Sequence, residues 1–333
     1  MKKFLLITAI ILVSTSLSAQ SKIFHDDSTE VECSNKSFDI GTRNSGLSFG
    51  NSKNWNGLRF NFSDCGIEEI NGINITFWKP ENNPGSQIHG LSIGLAPFAG
   101  ELKGISIGLA GVVADEKMQG INIGGLAAVS NGDLDGINIG GLATVANGNL
   151  RGINIGGLAS VSEGNQFGIN IGGFATVAKG NLYGFNFGGL AVVSENDMSG
   201  LTFGGLAVVS RGELKGLNFA GLAVVCEGNI TGLNQALLAI VSKSEIKGIA
   251  IAGYKTEAYK FTGLNISGWI EVENFTGLST AVYHKIKDTQ RGLVIGLFNV
   301  AEELHGVQIG LINIAKNNKR IAKVLPFINA HFD

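Results

Sequence analysis

GINIGGLAAVSNGDLD (residues 120–135) is followed at once by GINIGGLATVANGNLR (136–151) and GINIGGLASVSEGNQF (152–167). The leading glycine recurs in steps of sixteen at Gly104, Gly120, Gly136, Gly152, Gly168, Gly184, Gly200, Gly216, Gly232 and Gly248. Gly263, Gly277, Gly292 and Gly306 follow at fourteen or fifteen, Gly90 precedes by fourteen, and weaker copies start at Gly46, Gly57 and Gly72. A tandem period this short defines a solenoid or another array, because one unit is too small to bury its own apolar residues and must stack on its neighbours.

Within a unit, Ile121-Asn122-Ile123 alternates as a strand does. Asn131-Gly132 and its counterparts Asn147-Gly148, Glu163-Gly164 and Lys179-Gly180 supply turn chemistry. The density of Gly and β-branched residues works against a helix. Charge sharpens the division. From Gly104 to Lys247 every Asp, Glu, Lys and Arg falls eleven to fifteen places after a leading Gly, as do Asp133, Arg151, Glu163 and Lys179. One segment of each unit is therefore a wet turn, and the rest is sheet or buried corner.

Two all-β architectures satisfy this pattern. In a parallel β-solenoid of 14–16 residues per coil, like strands stack on like strands about 4.8 Å apart. In a transmembrane antiparallel β-barrel each unit is one strand plus one turn, residues 121–130 giving the roughly nine to eleven residues of a bilayer crossing. A barrel strand reverses at every unit, so alternate turns face different compartments and usually differ in length. Here the turns are alike, and Tyr183 is the only Tyr or Trp between 104 and 248. The solenoid is the expectation and the barrel the alternative. In the solenoid reading, Ile121 and Ile123 point inward as part of one unbroken apolar spine. The column Asn122, Asn138, Asn154, Asn170, Asn186, Asn218 and Asn234, interrupted by Thr202, points to the other face of its strand, where stacked amides bond from coil to coil.

The 333 residues, 44% apolar, suffice for a continuous core, and the 49 Gly lack the three-residue period of collagen. A formal net charge of −2 leaves no nucleic-acid footprint. Lys2 and Lys3, the apolar run Phe4–Val13 and the stretch ending Ser18-Ala19-Gln20 follow the order of a secretory signal peptide, with cleavage expected after Ala19. Residues 20–45 are a polar leader or cap, 46–89 irregular repeats, 90–315 the β-repeat domain and 316–333 a C-terminal cap. Within the irregular part, Lys79 to Pro84 reads as an exposed loop. Three cysteines fit an exported chain without a disulfide framework. Cys33 and Cys65 are candidates to pair, and Cys226 occupies a small, buried repeat position.

Gly292-Leu-Val-Ile-Gly-Leu-Phe-Asn299 and Gly306-Val-Gln-Ile-Gly-Leu-Ile-Asn313, with the ending Leu325-Pro326-Phe327-Ile328-Asn329, resemble the surface-repeat proteins of spirochaetes and Bacteroidota. The resemblance covers most of the chain after about residue 46, and implies export and the cell envelope but nothing catalytic. The regular block departs from it toward a longer unit with a Gly-Gly pair.

Motifs for chemistry are sparse. His25, His89, His284, His305 and His331 show no metal-ligand spacing, and no Gly-Lys-Ser/Thr follows any glycine-rich loop, so no metal, cofactor or catalytic residue is expected. Polar aromatics gather at Tyr254, Tyr259, Trp269, Tyr283 and His284, the candidate interaction surface. The alternative is that the coil changes cross-section there and needs larger fillers. The expected function is that of an exported, noncatalytic envelope protein, a surface scaffold or adhesion and interaction module at the outer membrane, cell surface or periplasm. Its expected partner is an envelope protein or glycan, with a homo-oligomer also in view. The alternatives are an outer-membrane pore or transporter and, more weakly, a carbohydrate-active solenoid enzyme.

Overall fold

The computed structural model describes residues 33–332 apart from positions 82 and 84. The expected signal peptide, residues 1–19, and the first part of the expected leader lie outside the described residues. The chain divides into units 1–34 and 35–333; the second is a right-through stack of β-coils.

Successive coils run the same way and lie in register. Leu150–Gly156 pairs in parallel with Asp133–Gly140 before it and Gln166–Gly172 after it, with Gly136, Gly152 and Gly168 opposite one another. The short strands Ala143–Ala146, Ala159–Ser162 and Ala175–Ala178 form a second parallel ladder. Among the described strands only two pairings are antiparallel. Ser37–Thr42 folds back on Ser45–Gly50 at one end, and Val324–His331 on Phe298–Ala315 at the other. The barrel alternative is set aside: a barrel strand must reverse at each unit. The irregular copies are full coils too, since Asn54–Asn61, Glu69–Thr76 and Gln87–Gly94 stack in parallel with Gly57, Gly72 and Gly90 aligned.

The leading glycines are required by their backbone. Gly152 has φ +104°, and a Cβ there would lie 2.1 Å from the carbonyl oxygen of Gly136. Gly156 closes the next corner so tightly that a Cβ would stand 1.8 Å from the carbonyl oxygen of Ala159.

This tight section reverses the expected facing of the first strand. Asn122, Asn138, Asn154, Asn170, Asn186, Asn218 and Asn234 are wholly buried inside the coil, while Ile137 and Ile169 are 37% and 40% exposed. The pattern around the kink at Gly152 explains the outcome: Leu150 is buried before it and Asn154 and Gly156 after it, so Ile153 and Ile155 fall on the outer side. Across the interior stand the small Ser160 and Ser162, a gap that suits one amide column. From Asn122 to Asn186 the amides satisfy each other: Nδ2 donates to the Oδ1 of the next coil, from Asn122 to Asn138 (2.8 Å) and on to Asn154 (2.9 Å), Asn170 (3.0 Å) and Asn186 (3.0 Å), so the burial of this run carries little penalty.

Leu134, Leu150, Leu182, Met198, Leu214, Ile230 and Ile246 fill the apolar half of the interior, each contributing about 1.5–3 kcal/mol by burial. The expected single spine is divided. One apolar cluster runs from Trp55 to Leu150 and another from Ala178 to Ala301. Between them Gln166 takes the Leu position and donates to the carbonyl of Val177 at 2.7 Å.

At the N-terminal end the position of the amide column is held by Arg59, fully buried against Asp64. The guanidinium also donates to Asn74 (2.7 Å), Asn51 (2.9 Å) and Ser52 (3.2 Å). Asp64 accepts from Thr76 (2.7 Å), Asn61 and Asn74 (both 2.9 Å). Burial alone would push its carboxyl up, but Arg59 and these donors outweigh that and hold it below the ordinary range. The loop expected to be exposed contributes to this end: Asn83 is buried, accepting from the Ile67 amide at 3.1 Å and donating to the Asp64 carbonyl at 3.0 Å.

Candidate interaction surface

An odd-numbered residue on the first strand of a coil points outward, and so does the corner that follows it. That corner carries one apolar residue per coil: Leu142, Leu158, Phe174, Leu190, Leu206 and Leu222, all exposed. They stack because each corner amide bonds to the carbonyl of the same corner one coil back, as Leu158 to Leu142 and Leu190 to Phe174. The ridge continues through Leu238 to Tyr254, whose amide donates to the Leu238 carbonyl.

Three of the expected surface residues are therefore ridge positions of the later coils. Trp269 meets Tyr254 edge-on at 6.5 Å and Tyr283 at 5.6 Å between ring centroids. Tyr283 in turn lies opposite Phe298 in the parallel register. Lys255 sets its Nζ 4.6 Å from the centre of the Trp269 ring, a cation–π contact. The same ammonium reaches Glu257 (2.9 Å) and Glu271 (2.8 Å). Lys285 and Lys287 each approach Glu271 at 3.3 Å, and Lys287 also pairs with Glu273 at 3.2 Å. The patch is thus an aromatic edge bordered by a shared ion-pair network. Hydrogen bonding from Lys255, then its charge and the other lysines, outweigh burial and hold the Glu271 carboxyl at about 2.

The other two expected residues do not join this patch. Tyr259 is exposed but makes none of these ring contacts. His284 turns into the coil, fully buried, with Nε2 2.9 Å from Ser279 Oγ. Burial pushes its imidazole down to about 4, against hydrogen bonds with Asn299 and Ser279 that favour protonation. Larger fillers also account for part of the region: Phe261 and Phe275 stack at 5.7 Å inside the coil.

The aliphatic flank was not anticipated. Parity held the signal, since the Ile column shares its face with Arg151 and Lys247 rather than with Leu150. Beside the ridge, Phe203 and Phe219 stack at 5.0 Å on the outer face. A shallow depression of about 290 Å³ lies between Phe187, Phe203, Phe219 and Leu237, floored by Gly205 and Gly221. The opposite, turn-side corner is charged but balanced, with Glu163–Lys179, Glu195–Arg211 (3.3 Å) and Glu227–Lys243 (2.7 Å) paired between successive coils.

Among the described residues there is no group of three or more His, Cys, Asp or Glu placed to hold a metal. The carboxyls displaced from their ordinary range, Asp64, Asp133, Glu213, Glu245 and Glu271, all lie below it. Cys33 and Cys65 are both in the disulfide state, and Cys226 is a buried free thiol raised to about 11 by desolvation. The chain matches no family model, no curated protein and no solved structure.

Proposed function

We propose that this chain is an exported, noncatalytic repeat protein of the bacterial cell envelope, a rigid scaffold that presents an interaction surface at the outer membrane or cell surface. The observation that carries the reading is the outer ridge that runs from coil to coil and ends in Tyr254, Trp269 and Tyr283 beside the Lys255–Glu271 network. Aromatic side chains with a polar border suit recognition of an envelope protein or glycan, because they offer rigid contact area with fixed hydrogen-bonding groups at its rim. The disulfide state of Cys33 and Cys65 fits an oxidising compartment. Export also agrees with the Lys2 to Ala19 segment and with the resemblance to the surface-repeat proteins of spirochaetes and Bacteroidota.

Two measurements test this. Cells expressing the full-length chain are fractionated and the product sequenced from its N-terminus; a mature chain starting at Gln20 in the envelope is expected, and an uncleaved cytoplasmic chain refutes export. Purified mature chain is then titrated onto isolated envelopes. Binding that falls at least tenfold in the double variant Tyr254→Ser, Trp269→Ser is expected, and unchanged binding refutes the assignment of the surface.

A further inference from the structure

In the coils of Gly104 to Gly248, the seven residues from each leading glycine to the corner carry no charged side chain, and the charges of the same outer face, such as Arg151, Lys215 and Lys247, stand at its border, just before the glycine. Nine coil-to-coil steps of about 4.8 Å, and about five residue steps of 3.3 Å across, give a flank of about 700 Å². Contiguous apolar surface of this size marks an interface, and it approaches the ~800 Å² per partner of a stable complex.

The relief of the flank indicates its occupant. The ridge of Leu142, Leu158, Phe174, Leu190, Leu206 and Leu222 stands beside the glycine-floored depression over Gly205 and Gly221. The ridge repeats once per coil, so a second array of the same pitch can set its ridge residues into this depression while offering its own depression in return. Self-complementarity of that kind is what a two-fold interface requires. A bilayer is less well matched. Helices that lie on membranes add electrostatic attraction from cations on their polar face, whereas the charges here are paired off between neighbouring coils.

We propose that two copies of this chain associate side by side through the aliphatic flank between Gly104 and Gly248, ridge into furrow. The aromatic end beyond it stays free for the partner proposed above. The inference rests on the flank alone and holds in whatever compartment the chain resides.

Sedimentation equilibrium of the mature chain without detergent tests it, alongside the triple variant Leu158→Gln, Leu190→Gln, Leu222→Gln. A control exchanges one pair on the far corner, Glu163→Lys with Lys179→Glu. A dimer with a micromolar or tighter dissociation constant is expected. It should weaken on the order of a hundredfold in the triple variant and within twofold in the control. The single variant Leu190→Gln, at a half-exposed site, supplies the reading if the triple variant loses its β circular dichroism. A folded wild-type monomer at tens of micromolar overturns the proposal, as does equal weakening by ridge and control variants. A monomer that floats with phosphatidylcholine vesicles and loses that property in Leu190→Gln also overturns it, reassigning the flank to lipid.

Discussion

The amide ladder inside the coils has one interruption whose repair can be calculated. Asn122 through Asn186 form one run and Asn218 donates to Asn234 at 2.9 Å in a second; Thr202 stands between them. Its hydroxyl cannot span both gaps. Thr202 Oγ1 and Asn218 Oδ1 are buried without hydrogen-bond partners, and Asn186 Nδ2 finds only the Gly184 carbonyl at 3.5 Å. Thr202→Asn places the amide that every neighbouring coil already accommodates. It should accept from Asn186 and donate to Asn218, two bonds worth about 1 kcal/mol each, and remove orphaned atoms that cost about 1–3 kcal/mol apiece when left buried. Part of that gain is offset by the rotamer freedom the new side chain loses. A net stabilisation of about 2 kcal/mol follows. Because coils couple mainly to their neighbours, amide hydrogen exchange in residues 198–220 is the direct assay, with the urea midpoint as a global check. Protection there should rise about thirtyfold. Unchanged or faster exchange, with the fold intact, refutes the account of the ladder as a mutually satisfied column.

Other perturbations carry distinct signatures. Gly152→Ala should cost about 3 kcal/mol or more, since it combines a positive φ with a Cβ 2.1 Å from a backbone oxygen; thermal unfolding measures it, and a loss under 1 kcal/mol contradicts the stacking of the leading glycines. Asp64→Asn leaves Arg59 buried without its counter-charge and should destabilise by about 3–5 kcal/mol, read as a lowered urea midpoint at pH 7. The His284 imidazole binds its proton only near pH 4 when folded but near 6.5 when unfolded. The unfolded state is therefore the better proton acceptor between those values, and stability is full above pH 6.5, falls by up to about 3 kcal/mol toward pH 4 and levels below it. His284→Gln should flatten that slope, and equal slopes in both proteins contradict the burial argument. Glu271→Gln with Glu257→Gln should free Lys255 from its place over Trp269 and alter the indole fluorescence with a stability loss of about 1 kcal/mol; an unchanged spectrum counts against the cation–π geometry.

The parallel stack was legible because like turns at like spacing leave a reversing strand no reason to be uniform. The facing of the first strand was not, although the means lay in the sequence. Counting by twos from Leu134 through Gly136 leads to Asn138, so a buried leucine commits the asparagine to the interior. Hydrophobicity alone ranks Ile137 above Asn138 for burial. It misses that a narrow coil with Gly140, Thr144 and Ala146 on its other walls has room for a planar amide that the next coil can satisfy. The same rule would have flagged Arg59, which occupies the amide position of its unit, but a charged residue there reads as solvent-facing until Asp64 is placed against it. At the candidate surface the composition located the region, while the six-residue offset from each leading glycine separates Tyr254, Trp269 and Tyr283 on the corner from His284 one step further, inside.

In-register stacking also frees the array from any fixed length. Excising residues 136–151 would join Asp135 to Gly152 and leave every remaining coil on a neighbour with the same glycine, amide and leucine positions. A gene of this kind can shed or duplicate sixteen codons at a time by unequal recombination and still encode a closed, capped product. Reach is then the trait that selection can adjust most cheaply, with the two terminal hairpins held constant.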